Sequence, residues 1–427
     1  RSRPGDRVDP CLPENECVVG RDAGRLDDYS AEQTGAQESC LKLKVGTTHP
    51  IQYQIPWFRA LTETSGIELE VGFAWLPTRE AQGTGFGMPF SWNVPILEGY
   101  AWKELDRAGR HPDLAKFSAL RLRHPIAWLN TDSAALIVTG WNSLALIQLA
   151  LAARRRKMPV LVRGDSNAGR KRGLLQRVAH RLLLSRFTGF LVVGEGNRAF
   201  YRGYGVSPDR LFDCPHFVDN EYFAAASLTS RARRAEVRTR WGVDLDHVVA
   251  LFVGKLIQEK NLEELLAAFQ VASANEARLR LVLVGEGPLR LDLERRAAAA
   301  GIEATWVGFL NQSELPEAYA AADLLVLPSR SETWGLVINE AMASGLPVIA
   351  SDRVGCAPDL VHPGRTGELY RSGHPEELAE RLVLLAGNAT YREEAGAAGQ
   401  KLVHERYSVA RAVEGTLAAV RRVTRAA

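Results

Sequence analysis

Cysteine is scarce in this chain and carries no pattern. Of five cysteines, Cys11, Cys17 and Cys40 fall in the first forty residues, and Cys214 and Cys356 stand far apart. No Cys-x-x-Cys pair or Cys/His cluster has zinc spacing, so no metal site is expected. An odd count without a framework fits a reducing compartment. Also missing is an uninterrupted apolar run of eighteen residues, which excludes a spanning helix from the reading. The first forty residues lack the apolar core of a signal peptide. The expectation is a cytoplasmic protein that meets a membrane only from the surface, at the inner face of the plasma membrane. A net charge of +3 over 427 residues is too small to imply a nucleic-acid partner.

What the chain does have is an ordered alternation. Residues 1–40 are rich in Arg, Asp, Glu, Gly and Pro without apolar periodicity and read as a disordered tail. From Leu41 onward, short apolar runs alternate with helical patterns. Strands are expected at Leu41–Val45, Ile67–Trp75, Ala135–Gly140, Pro159–Arg163 and Phe190–Gly194. After a charged, Arg-rich segment at 221–247 the alternation restarts. Five further strands are expected at Val248–Gly254, Leu279–Gly285, Ala304–Val307, Leu324–Leu327 and Pro347–Ala350, with helices at Asn261–Ala274 and Pro288–Ala300 between them. Such alternation implies parallel βαβ units. The fold class is therefore α/β, two doubly wound parallel-sheet domains facing each other across a cleft. The boundaries read are 41–220, 221–405, and a C-terminal helix at 406–427 free to pack back on the first domain. Ligands in such sheets bind at the carboxyl ends of the strands.

Residues 328–347 concentrate the chemistry. The apolar run Leu324–Leu327 enters a polar loop, and Gly335 to Ser344 reads as a helix stopped by Gly345 and Pro347. A strand, a tight loop and a helix N-terminus present free N–H groups and a positive dipole end, a site ready for a phosphate or diphosphate. Glu332 and Glu340 bracket that turn with seven residues between them. On a helix this separation is roughly 12 Å, the reach of a nucleotide-sugar from hexose to ribose. The same pair also reads as a solvated loop residue and a helix-surface residue, and spacing alone does not choose.

With these residues in view, positions 190–410 resemble the retaining glycosyltransferases of family 4, which have the GT-B fold. Glu332 and Glu340 occupy the places of that family's Glu-x7-Glu motif. Gly254-Lys-Leu-Ile-Gln-Glu-Lys260-Asn resembles its Gly-Arg-Leu-x-x-x-Lys-Gly donor loop, with Lys255 in place of Arg. Val284-Gly-Glu-Gly-Pro288, Trp306-Val-Gly-Phe-Leu310 and His216-Phe-Val-Asp219 are similar to further signatures. In the first half, Thr48-His-Pro-Ile-Gln-Tyr53 and Asn93–Tyr100 look like bacterial members that build surface polysaccharides or glycoconjugates.

The resemblance implies a metal-independent, retaining hexosyltransferase that uses a nucleotide-sugar as substrate, with no cofactor, and a hydroxyl acceptor, lipid-linked if the chain docks on a membrane surface. It implies that Gly335, Leu336 and Val337 cradle the diphosphate beside Trp334 and Gly254, and that Lys255 and Lys260 neutralise it. Lys255 keeps the charge of Arg but loses its bidentate fork. Glu340 would take the ribose hydroxyls, Glu332 would orient the transferred sugar, and Val307 and Phe309 would meet the base. A nucleotide-sugar-binding protein without turnover and a sugar-nucleotide epimerase on the same fold are the alternatives.

Other features are less telling. His49, after the first strand, and Arg163 and Asp165, after the strand at Pro159, are candidates for the acceptor side. Gly83–Gly87 reads as a flexible acceptor loop, and Asp244-Leu-Asp246 as a turn before the strand at Val248. From Ala150 to Phe190, eleven basic residues (Arg154, Arg155, Arg156, Lys157, Arg163, Arg170, Lys171, Arg172, Arg177, Arg181 and Arg186) face Asp165 alone. Leu174, Leu175, Val178, Leu182 and Leu183 interleave at helical spacing. Docking on an anionic membrane surface and a solvated face over a core helix both account for this stretch.

Overall fold

The computed structural model describes residues 40–109, 112–114, 116–169 and 173–425. The readings on residues 1–39, with Cys11 and Cys17, and on Arg170, Lys171 and Arg172 lie outside the described residues. Among the described residues no helix is long and apolar enough to cross a membrane.

The first sheet contains β1 (Leu41–Thr47), β2 (Ile67–Phe73) and β3 (Ala101–Glu104). A small antiparallel ribbon, β4 (Arg107–Ala108) and β5 (Arg121–Leu122), interrupts the run. The sheet then continues with β6 (Ala135–Val138), β7 (Val160–Val162), β8 (Gly189–Val192) and β9 (Leu211–Asp213). Its order is β3-β2-β1-β6-β7-β8-β9, and its strands pair in parallel. The second sheet is built from β10 (Val248–Val253), β11 (Leu279–Val284), β12 (Ala304–Gly308), β13 (Leu324–Leu327), β14 (Val348–Ser351) and β15 (Gly367–Tyr370), in the order β12-β11-β10-β13-β14-β15, again parallel.

β6, β7, β10, β13 and β14 are buried at every position. That is why they are continuous apolar runs and not alternating ones: helices cover both faces. The second domain has one apolar core, and the first has a core on each face of its sheet. Besides the two-residue strands β4 and β5, three strands of the large sheets escaped the sequence reading. β3 is exposed at all four positions and has no apolar pattern to detect. β9 is three residues long. β15 carries a buried glutamate, Glu368, which accepts from Tyr391.

The last helix, Val409–Arg425, lies against the first sheet, and its Ala412, Ala419 and Val420 are buried in that domain's core. Trp57 in the helix Ile55–Glu63 donates its indole N–H to Thr416 at 3.2 Å. In both sheets the strand order reverses between neighbours, at β1/β6 and at β10/β13, and at such switch points the connections diverge and leave a crevice.

Candidate active site

The segment after β13 is shaped by its fit to the neighbouring chain. Glu332 forms a parallel bridge with Val354; Gly355 N–H donates to the Glu332 carbonyl at 3.1 Å and Cys356 N–H to that of Trp334 at 2.9 Å. Gly335 then takes φ of 101°, and a Cβ there would lie 3.0 Å from Val354 and 3.1 Å from Leu327. Only glycine meets both demands cheaply. The helix Leu336–Ala343 starts at once, and Ile338 makes the first bond back to Gly335. The N–H groups of Leu336 and Val337 precede any intrahelical acceptor and lie at the positive end of the helix.

These groups border a cavity of about 420 Å³ at the carboxyl ends of the strands. Gly254, Lys255, Lys260, Phe309, Glu332, Trp334, Gly335, Leu336, Val337 and Glu340 line it from the second domain, and Tyr53, Asp165 and His216 from the first. The connection after β10 passes so close to that after β11 that a Cβ on Gly285 would sit 1.8 Å from the Gly254 carbonyl oxygen. Lys260 closes a tight turn, and its ammonium forms a close, largely buried ion pair with Glu332. Burial, and then the charge of Lys260, lower the pKa of Lys255, whose ammonium sits 4.7 Å from the Phe86 ring centroid and 3.3 Å from the Thr84 carbonyl.

Glu340 is 1% exposed. Tyr53 of the first domain donates to one of its oxygens at 2.9 Å and Tyr319 to the other at 2.6 Å. Burial pushes its pKa up to about 7 against the pull of those two hydroxyls and of Gln312. The glutamates therefore differ: Glu332 is matched to a cation, and Glu340 is a dry carboxylate held by hydroxyls.

A second cavity, of about 970 Å³, opens in the first domain and shares Gln52, Tyr53, Phe86, Trp92 and Lys255 with the first. His49 lies there, with Nδ1 3.0 Å from the Thr48 hydroxyl, and burial lowers its pKa to about 4, so it is neutral near pH 7.

Three of the expected residues lie outside the first cavity: His49, which lines the second, Arg163 and Val307. Arg163 is 6% exposed and spans Cys214, Pro215 and His216 with its guanidinium, which also stacks over Trp57 and Phe217. It braces the wall and does not face the opening. Val307 packs against the core of the second domain, while Phe309 does line the cavity.

Other residues are brought in to which the sequence reading gave no role at the site. His216 lines the cavity with Nε2 buried and without a hydrogen-bond partner, and burial and Arg163 keep it neutral. The Gly83–Gly87 loop also does more than expected, because it reaches the second domain. Phe86 and Phe90 pack on Phe309 at 5.1 and 4.7 Å between centroids, and Asn93 exchanges hydrogen bonds with Asn311 and Ser313. Asp244, Asp246 and His247 cluster at the amino end of β10, away from this site, where His247 Nδ1 accepts from the Asp244 N–H.

Residues 233–402 match the family model of glycosyl transferases, group 1. Over that stretch the chain is similar to the group 1 glycosyl transferases. The solved structure of Anabaena HepE in complex with UDP and glucose superimposes on this chain with a TM-score of 0.69 at 16% identity, covering 90% of this chain and 100% of that one. The shared fold is GT-B. Among curated relatives, the sulfoquinovosyl transferase SQD2 of Arabidopsis thaliana is 37% identical over 188 residues, 43% of this chain and 34% of that protein. The D-inositol 3-phosphate glycosyltransferase of Thermobifida fusca is 28% identical over 342 residues, 77% of this chain and 73% of that one. The matched region spans about a third to a half of the length of SQD2, the alpha-D-kanosaminyltransferase of Streptomyces kanamyceticus and a GDP-mannose-dependent alpha-mannosyltransferase of Mycobacterium tuberculosis.

Proposed function

We propose that this protein moves a sugar from a nucleoside-diphosphate sugar to a hydroxyl acceptor with retention of anomeric configuration, in the assembly of a cell-surface polysaccharide or glycoconjugate. The observation that carries the reading is the first cavity itself. It places two lysines, the free N–H groups of a helix and two unlike glutamates around one volume.

The diphosphate binds over Gly335, Leu336 and Val337, and Lys255 and Lys260 balance its charge. Lys260 keeps Glu332 beside it, so Glu332 is held where it can accept from hydroxyls of the transferred sugar. The lone pairs of Glu340 suit the ribose hydroxyls, and Phe309 with Phe86 and Phe90 offers apolar faces to the base. As the bond from the anomeric carbon to the diphosphate oxygen breaks, the acceptor oxygen bonds to that carbon from the same side and its proton passes to the departing diphosphate. The lysines stabilise the anion that develops. His49 stands on the acceptor side, but a pKa near 4 makes it a weak base; the leaving diphosphate takes the proton. Two fixed cations supply the charge a divalent ion would bring, so turnover is expected to persist in EDTA.

The test is diphosphate release and product stereochemistry. Glu332→Gln and Glu340→Gln are each expected to reduce turnover about a hundredfold or more, with an α-configured donor giving an α-linked product by NMR. Unchanged release in both variants, or a covalent sugar–enzyme adduct in mass spectra, would defeat this mechanism.

A further inference from the structure

The helix Leu174–Leu184 is seated the wrong way round for a surface helix. Its high amphipathicity leads one to expect the leucines inward, yet Leu184 is the buried residue among its eleven. Leu174 is 78% exposed, Leu175 87%, Val178 51% and Leu182 62%. The inner side is held by Leu184 and by His180, which packs on Trp141, Phe200 and Tyr204. Leu174, Val178 and Leu182 recur every fourth residue, so they form one outward row with Leu175 beside it. Arg177 and Arg181 flank that row.

Next to this helix, the helix Leu144–Arg155 ends in Arg154, Arg155, Arg156 and Lys157, all exposed, and Arg154 donates to the Arg186 carbonyl at 3.0 Å, tying the two ends together. Among the described residues, none of these cations is part of an ion pair. The face therefore combines four exposed aliphatic side chains with a field of unmatched positive charge.

We infer that this face docks on the surface of an anionic lipid bilayer, the aliphatic row entering the acyl boundary and the arginines and Lys157 meeting headgroup phosphates. A second copy of the chain would bring the same positive charge against it. Nucleic acid would answer the charge but find no aromatic platform, only aliphatic side chains. The connection that leads into this helix starts from β7 and carries Asp165, which lines the first cavity, and Asn167, which donates to the Thr333 carbonyl at 3.1 Å. Docking through it sets the cleft beside the membrane, within reach of a lipid-linked hydroxyl.

The experiment is co-sedimentation of the full chain with vesicles of mixed phosphatidylcholine and phosphatidylglycerol, against pure phosphatidylcholine. The wild type is expected to partition onto the anionic vesicles at low salt and to be released by high salt. The surface variants Leu174→Glu/Leu175→Glu and Arg177→Glu/Arg181→Glu are each expected to lose about tenfold or more of that partition, with thermal unfolding unchanged. No binding by the wild type, equal binding to neutral vesicles, or variants that bind as well as the wild type overturn the inference. So does a dimer that the variants convert to monomer by light scattering without lipid, which makes the face an interface between copies. Release of diphosphate from a soluble donor is a separate readout, and its loss or retention in the wild type leaves the docking result standing.

Discussion

At the scale of single residues, Glu340 has the most to say. Its folded-state pKa of about 7 lies above the ordinary 4.5, so the folded protein keeps a proton that the unfolded chain gives up. Its contribution to stability is greatest below about pH 4.5, declines as pH rises towards 7 and is flat above that. Glu340→Gln removes this penalty. The melting temperature of the variant should gain on the wild type between about pH 5 and about pH 8, by an amount equivalent to about 2–3 kcal/mol, and parallel curves would refute the assignment. The sequence showed that two glutamates flank a turn, but not that one is paired and the other dry. That difference depends on Lys260 and Tyr53, which lie far from both in the chain, and on Tyr319, which comes from the preceding helix. His216 was missed for the same reason: its isolation is made by Arg163 and Trp334 folding around it. Gly335 was legible as the start of its helix, but its φ of 101° was not. Gly335→Ala is expected to cost about 1–2 kcal/mol in stability and to weaken donor binding, measured by chemical denaturation and calorimetry.

At the scale of elements, buried parallel strands announce themselves, since a strand covered on both faces has nowhere to put a polar residue. β10, β11, β13 and β14 were therefore readable, whereas the exposed β3 and the short β9 were not. The last helix, Val409–Arg425, lies against the first domain, the packing that the sequence reading left open to it. Its small buried residues fit closely against the first domain, and Cys214 lies 3.4 Å from the Ala412 carbonyl. Ala412→Glu places an unpaired carboxylate in that seam and should lower the melting temperature by roughly 5 °C or more. Scanning calorimetry measures it, and an unchanged transition would mean that the seam is loose.

At the scale of the whole molecule, two of the contacts that cross the cleft bear on the donor cavity. One is the aromatic loop of Phe86 and Phe90 on Phe309, braced by Asn93; the other is the hydroxyl of Tyr53 on Glu340. Neither was visible in sequence, because each joins segments more than two hundred residues apart. Removing the first, with Phe86→Ala/Phe90→Ala, should enlarge the radius of gyration in X-ray scattering and raise the donor KM about tenfold while changing kcat less. A compact variant with unaltered KM would show that the loop only decorates the cleft.

The Tyr53 hydroxyl has a consequence for the catalytic cycle. A buried carboxylate left bare would be costly, and here a phenol from the opposite domain stands where, on the proposed function, a ribose hydroxyl binds. On that function Tyr53 is a placeholder, competing with the ribose for one oxygen of Glu340. Loading a donor would then exchange one hydroxyl for another, and the same side chain would return as the spent nucleotide leaves. Tyr53→Phe takes that placeholder away, so it should slow product release and make the nucleoside diphosphate a tighter inhibitor.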